Sequence, residues 1–206
     1  MTACSGLRRL ESICAMALSD DSQRIFFALW PDAEQRSRIA AAGAQLLDAN
    51  QAPTAMASSA AKHGKKRAWR AVPQHNLHLT LLFLGNQSRS SVEELCCRVD
   101  ELRAKCFELA LDHFGWFPRP KVVWLGADAP RAGMDLVQQL SRISSACGMR
   151  YQQRGWRPHI TLFRRVSQQP EWPNLPTIQW APHDFVLLQS MASQPYQVLK
   201  RWPLYD

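Results

Sequence analysis

The chain has 206 residues, a hydrophobic content of 46% and a formal net charge of +8, with a sequence pI near 9.5. That hydrophobic fraction is ample for a packed core and excludes a chain that is disordered throughout. No stretch approaches the ~20 apolar residues that a membrane-spanning helix requires. The positive charge favours an anionic partner such as nucleic acid or a phosphorylated metabolite, although a basic surface that only maintains solubility has the same composition.

Residues 1–21 are interpreted as a disordered N-terminal extension. Arg8 and Arg9, followed by a short apolar run, resemble a signal peptide, but Glu11 interrupts the pattern and no small-residue cleavage site follows. The chain has six cysteines without C-x-x-C spacing: Cys4, Cys14, Cys96, Cys97, Cys106 and Cys147. We therefore expect reduced thiols, a cytoplasmic location and no membrane attachment.

Up to residue 102 the hydrophobic pattern predicts, in order, a strand, a helix, a loop, a strand and a helix. These elements cover residues 24–30, 32–48, 49–72, 76–84 and 90–102. Pro31 marks the start of the first helix, and a sequence resembling a capping box at Ser90 starts the second. The loop ends in a basic segment at residues 62–70, which is interpreted as a solvated surface that can attract RNA.

From residue 107 the pattern predicts two strands, a helix and three further strands. They cover residues 107–112, 122–126, 133–146, 158–163, 184–189 and 196–202. Gly148 is expected to end the helix, because glycine is the usual residue just beyond a helix C-terminus. Residues 22–206 are therefore expected to form a single domain.

Two of the predicted strands carry the same short motif, His78-Leu79-Thr80 and His159-Ile160-Thr161. Random placement of six histidines and five threonines would give about 0.15 His-x-Thr pairs, so two copies are significant. Residues two apart in a strand share a face. Each histidine therefore projects together with its threonine, while Leu79 and Ile160 point the other way and can be buried.

The positions of the two motifs indicate an internal duplication. They lie about half of the ordered chain apart, with strands and helices on both sides. We infer an α+β fold of two lobes related by a pseudo-twofold axis, from the motifs alone and not from a wider sequence repeat. The two motifs are then expected to face each other across a cleft.

Two imidazoles, each beside a hydroxyl, suit an in-line displacement at phosphorus. One base takes a proton from water and one acid protonates the departing oxygen on the opposite side. Histidine, with an ordinary pKa of about 6.5, fits either role near neutral pH. Thr80 and Thr161 can donate hydrogen bonds to the non-bridging phosphoryl oxygens, where charge develops.

Five segments, together with the paired motifs, make the chain resemble the 2H phosphoesterase superfamily. They lie in family order at residues 24–29, 76–85, 122–126, 158–162 and 199–202. More narrowly, the chain resembles the bacterial RNA 2′,3′-cyclic phosphodiesterases, historically called 2′-5′ RNA ligases. The resemblance implies two α+β lobes, each an antiparallel sheet with helices on its outer face, flanking a central cleft that the motif side chains line.

The resemblance also implies an activity, namely metal-independent hydrolysis of RNA 2′,3′-cyclic phosphodiester ends to a 2′-phosphate. The first-motif histidine is the proton donor and the second the acceptor, roles that we carry to His78 and His159. The implied partner is RNA with such ends, tRNA halves included, and the protein is expected to be a monomer without a cofactor. A zinc site is not predicted, because no acidic residue accompanies either motif.

Three further residues are predicted to bind the substrate: Arg164, Arg70 and Phe27. Arg164 matches a family position that contacts the substrate phosphate, and Arg70 precedes the first motif in a similar position. Phe26, Phe27 and Phe163 are candidates for stacking on a base. Alternating burial makes one of Phe26 and Phe27 a core residue without indicating which, and Phe27 is assigned to the substrate here.

Other functions stay open at this point. A site that catalyses the reverse reaction would make the protein a 2′-5′ RNA ligase. Other 2H phosphodiesterases act on a cyclic nucleotide or a 2′-5′ oligonucleotide. A module that binds RNA ends without turnover belongs to a different class, and the two intact histidines argue against it.

Overall fold

The computed structural model describes residues 22–51, 69–151, 155–192 and 194–206. The predicted N-terminal extension, residues 1–21, and the basic residues 62–67 lie outside the described residues. In the described part, no helix is long and apolar enough to cross a membrane.

Ten strands and three helices make up the described fold. The strands are β1 Ser22–Leu29, β2 Arg70–Ala71, β3 Leu79–Ser88, β4 Leu109–Leu111, β5 His113–Phe117, β6 Val122–Gly126, β7 His159–Arg164, β8 Ile178–Trp180, β9 Asp184–Gln189 and β10 Gln197–Pro203. The helices are α1 Ala33–Gln51, α2 Arg89–Val99 and α3 Arg131–Ala146, and a short 3₁₀ turn, Gln74–Asn76, precedes β3.

These elements confirm the α+β class and most of the predicted order. The start of α2 differs from the prediction, because the hydroxyl of Ser88 rather than Ser90 accepts the N–H of Ser91 and caps the helix. Strands β2, β5 and β8 were not predicted. Two of them are only two or three residues long, and β5 has Gly115 at its centre, which weakens a strand pattern.

Eight strands form one continuous antiparallel sheet in the order β10-β9-β1-β3-β7-β6-β5, with β2 paired to β7. The strands of the two halves meet where β3 pairs with β7, at Leu79 and Ile160. The predicted lobes are thus two ends of one sheet instead of separate sheets. A two-stranded sheet of β4 and β8 lies beside it.

The main core lies on the face of the large sheet that the helices cover. Phe27, Leu79 and Ile160 are fully buried in it. Helix α1 packs on β7, whereas α3 packs on β3, so each helix supports the motif strand of the other half. This packing leaves the opposite face of the sheet for the motif side chains.

Candidate active site

The junction of β3 and β7 brings the two motifs together. The middle residue of one motif, Leu79, pairs with the middle residue of the other, Ile160, and both side chains are fully buried. Because side chains alternate along a strand, the flanking residues turn to the opposite face. That face carries the side chains of both motifs: His78, Thr80, His159 and Thr161.

Both motif histidines are held in the same way. Nδ1 of His78 lies 2.7 Å from the carbonyl oxygen of Asn76, and Nδ1 of His159 lies 2.7 Å from that of Arg157. In each case the acceptor belongs to the residue two positions earlier. A carbonyl oxygen only accepts, so Nδ1 carries the proton and Nε2 is the atom available for proton transfer.

Burial lowers the pKa of His78 to about 4, because desolvation disfavours the charged imidazolium. The hydrogen bond to the Asn76 carbonyl acts in the opposite direction. The positive charges of Arg164 and His159 depress this pKa further. His78 is therefore neutral at pH 7 in the free protein.

The pKa of His159 is also lowered, again first by burial. The hydrogen bond to the carbonyl of Arg157 raises it, and the charge of the Arg157 guanidinium lowers it. An anion bound between the two imidazoles would stabilise the protonated form of either one. The free site thus holds two neutral imidazoles in a cationic setting.

Aromatic rings surround each histidine. Ring centroids of Phe26 and Tyr196 lie 5.0 and 5.1 Å from that of His78. Phe117 and Trp124 lie 5.4 and 5.8 Å from His159. These rings shield the imidazoles in part from water, and this desolvation is the largest cause of the lowered pKa values.

The assignment of Phe27 to the substrate is wrong. Phe27 is fully buried in the main core, where its ring packs against Phe185 and Trp202. Its neighbour Phe26 points to the opposite face and lies beside His78. Phe163 also belongs to the main core, so of the three candidate phenylalanines the structure brings Phe26 to the site.

A β-bulge brings Arg164 to the site. Arg164 follows His159 by an odd number of residues, so an uninterrupted strand would turn it towards the helices. Thr161 pairs with Trp124, but Phe163 pairs with Val123, which leaves Leu162 as an extra residue in β7. Leu162 and Phe163 are both buried in the main core. The next residue, Arg164, therefore returns to the motif face.

Arg70 joins Arg164 at the end of β7. The two residues are direct partners in the antiparallel pairing of β2 with β7, and both are exposed. Like charges directly opposite each other destabilise a sheet. The two predicted arginines therefore concentrate uncompensated positive charge at this end of β7.

Several neighbours of the histidines escaped prediction from the sequence. Tyr196 and Trp30 come from segments distant in sequence, and only long-range strand pairing brings them to His78. The indole of Trp124 reaches His159 because β6 pairs with β7. A third histidine close in sequence to the first motif, His75, is exposed in the 3₁₀ turn.

Across residues 22–51, 69–151, 155–192 and 194–206, no three His, Cys, Asp or Glu side chains form a cluster of the kind that binds a metal ion. The motif residues and the two arginines present imidazole, hydroxyl and guanidinium groups.

The chain has an α+β fold whose large sheet presents two His-x-Thr motifs and an arginine on one face. This combination defines a phosphoesterase of the two-histidine class. A family model described as LigT like Phosphoesterase matches residues 47–124. The RNA 2′,3′-cyclic phosphodiesterase of Escherichia coli is 33% identical over 190 residues, which cover 89% of this chain and 98% of that protein. The chain belongs to the LigT-like phosphoesterase family, part of the 2H superfamily.

Two further similarities agree with this. The RNA 2′,3′-cyclic phosphodiesterase of Thermus thermophilus is 32% identical over 163 residues, or 67% of this chain and 77% of that protein. The crystal structure of E. coli LigT complexed with 3′-AMP superposes with a TM-score of 0.71 at 32% identity. That match covers 90% of this chain and 99% of LigT.

Proposed function

We propose that the protein hydrolyses 2′,3′-cyclic phosphodiester ends of RNA to a 2′-phosphate by acid–base catalysis with two histidines and no metal. One observation carries the proposal: the Leu79–Ile160 pair gives His78 and His159 a common face with equivalent hydrogen bonds. The relatives named RNA 2′,3′-cyclic phosphodiesterase support the substrate class.

The reaction is an attack of water on the cyclic phosphorus. Nε2 of His159 accepts a proton from the water as the new P–O bond forms. The bond from phosphorus to the ribose 3′-oxygen breaks, and Nε2 of His78 donates a proton to that oxygen. The two imidazoles end in exchanged protonation states, and a proton returned through solvent restores the first state.

The charge that develops on phosphorus needs donors around it. The guanidinium of Arg164 can bind the non-bridging oxygens through two N–H groups, and Arg70 lies beside it. The hydroxyls of Thr80 and Thr161 add one donor from each half. These four groups stabilise the transition state without taking part in proton transfer.

His78 must be protonated before it acts as the acid, although burial holds its pKa near 4 in the free protein. The anionic phosphate supplies the missing opposite charge, and it also neutralises Arg164, one of the cations that lower this pKa. Substrate binding and proton uptake by His78 are therefore coupled.

An RNA that ends in a 2′,3′-cyclic phosphate, incubated with the protein in EDTA, tests this function. The expected product carries a 2′-phosphate and a free 3′-hydroxyl, which mapping of the end group identifies. A 3′-phosphate product, or no product at all, would contradict the proposal.

A further inference from the structure

We propose that a pocket beside the site, here called the Trp30 pocket, binds the nucleotide that immediately precedes the cyclic-phosphate end of the RNA. This inference rests on the proposed function. The pocket has a volume of ≈ 300 Å³, at the lower end of the range for small-molecule sites. Its lining is formed by Trp30, Pro31, Asp32, Arg36, Trp180–Asp184 and Arg201.

The Trp30 pocket starts next to the catalytic face. The indole of Trp30, which lines the pocket, also lies beside His78, with ring centroids 6.3 Å apart and planes at 27°. A group in the pocket is thus separated from the imidazole by a single indole. The pocket is close enough to receive a part of the same substrate.

The walls of the pocket are fixed by hydrogen bonds. The side-chain amide of Gln35 donates to the carbonyl oxygen of Gln179 at 2.7 Å, which ties the first turn of α1 to β8. The carboxylate of Asp32 accepts the N–H of Gln35 at 2.8 Å, and both oxygens of Asp184 accept from Arg201 at 2.6 Å. Both aspartates of the lining therefore already have partners.

Arg36 is a cation of the lining that takes part in none of these hydrogen bonds. Its guanidinium lies 4.8 Å above the ring of Trp30, and among the described residues its buried Nε has no hydrogen-bond partner. Burial lowers the pKa of Arg36, the charge of Arg201 lowers it further, and Asp32 opposes both effects. A bound anion would compensate this partly desolvated charge.

A nucleotide meets both requirements of the pocket. Trp180 is buried and the Trp30 indole already carries the guanidinium of Arg36, but the exposed imidazole of His183 also lines the pocket, and the base can stack on this flat ring. Its phosphate can accept hydrogen bonds from Arg36. Because the cyclic phosphate itself must lie between the two histidines, the nucleotide in the pocket is the preceding one in the chain.

The test compares adenosine 2′,3′-cyclic phosphate with the dinucleotide ApA that ends in a 2′,3′-cyclic phosphate. For each protein the measured quantity is the ratio of kcat/KM for the dinucleotide to kcat/KM for the mononucleotide. Arg36→Gln should lower this ratio roughly tenfold, the value of one charge-assisted hydrogen bond. Arg36→Lys should restore part of it. Arg142→Gln, which removes the same charge at an exposed position of α3 away from the pocket, is the matched control and should keep the wild-type ratio.

An unchanged ratio in Arg36→Gln, or a wild-type protein that does not prefer the dinucleotide, would overturn the assignment of the pocket. If the wild type opens neither substrate, the proposed function fails separately. The pocket is then judged by fluorescence anisotropy with a labelled ApA that ends in a 2′-phosphate. Weaker binding to Arg36→Gln than to Arg142→Gln supports the pocket, and equal binding contradicts it.

Discussion

Leu79 and Ile160 face each other where the two halves of the large sheet meet, and each is the central residue of a His-x-Thr motif. The two motifs therefore meet at their central residues. Both are fully buried, so the pair that aligns the two motifs also belongs to the hydrophobic core. The geometry of the site is in this way coupled to the stability of the fold.

The division of labour between the histidines can be tested with single variants. His78→Ala and His159→Ala should each lower the rate by about 10²–10⁴-fold, the usual contribution of positioned proton transfer. A phosphodiester with a p-nitrophenolate leaving group needs no acid, so it should rescue His78→Ala but not His159→Ala. Rescue of His159→Ala alone would reverse the assignment.

Matched variants keep this test specific. Thr80→Ala and Thr161→Ala should cost less than either histidine, because each removes one donor to phosphate and leaves proton transfer intact. His75→Ala removes an exposed imidazole three residues before His78 and should retain full activity. Full activity in both motif-histidine variants would exclude the two-histidine mechanism.

Activity should survive chelation. The proposed chemistry uses two imidazoles, two hydroxyls and the paired arginines, and no step requires a Lewis acid. Turnover measured in excess EDTA should equal that in untreated enzyme. Loss of turnover that zinc or manganese restores would show that the mechanism is wrong.

Arg164→Gln should raise KM and lower kcat/KM by about 10–100-fold, since a hydrogen bond from a charged donor to phosphate is lost. Inhibition by inorganic phosphate should weaken in the same variant. Arg165→Gln changes the next residue, which lies beyond the end of β7, and serves as the control. Equal effects of the two substitutions would indicate a general loss of positive charge instead of a specific contact.

The lowered pKa of His78 predicts a loss of stability in acid. Its value is about 4 in the folded protein against 6.5 as the ordinary value, so the unfolded state binds a proton first as the pH falls. The contribution of neutral His78 to the free energy of unfolding is fully present above pH 6.5. It is lost as the pH falls towards 4, by up to about 3 kcal/mol. Denaturant unfolding at pH 7 and pH 4 should show a smaller decrease for His78→Gln than for the wild type. An equal decrease in both proteins would contradict the shift.

The position of the Trp124 indole beside His159 depends on glycine at residues 115 and 126, which the ring contacts. A Cβ on Gly115 would lie 2.1 Å from Cζ2 of that indole, so Gly115→Ala must displace the ring and should destabilise the fold by about 1–3 kcal/mol. Gly155→Ala, where a Cβ meets nothing within 4 Å, should have little effect. Melting temperature and kcat of the two variants check this, and similar values for both would mean that the ring does not need the space.

The face that each motif presents could be predicted from the sequence because it depends on a local rule. Alternation along a strand gives His78 and Thr80 one face and buries Leu79, and the structure confirms this burial. The same rule cannot separate Phe26 from Phe27, since choosing the inward residue requires knowing which sheet face the helices cover. It also turns Arg164 the wrong way, because the extra residue Leu162 in β7 depends on pairing with β6.

The central position of β1 has a consequence for synthesis of the protein. Its partners are β3, which follows soon after in the chain, and β9, which is made near the end. Until residues 184–189 leave the ribosome, one edge of β1 therefore has unpaired N–H and C=O groups and can pair with another chain. The sheet that supports His78 is completed only after translation of almost the whole chain, so the first half cannot mature as an independent folding unit.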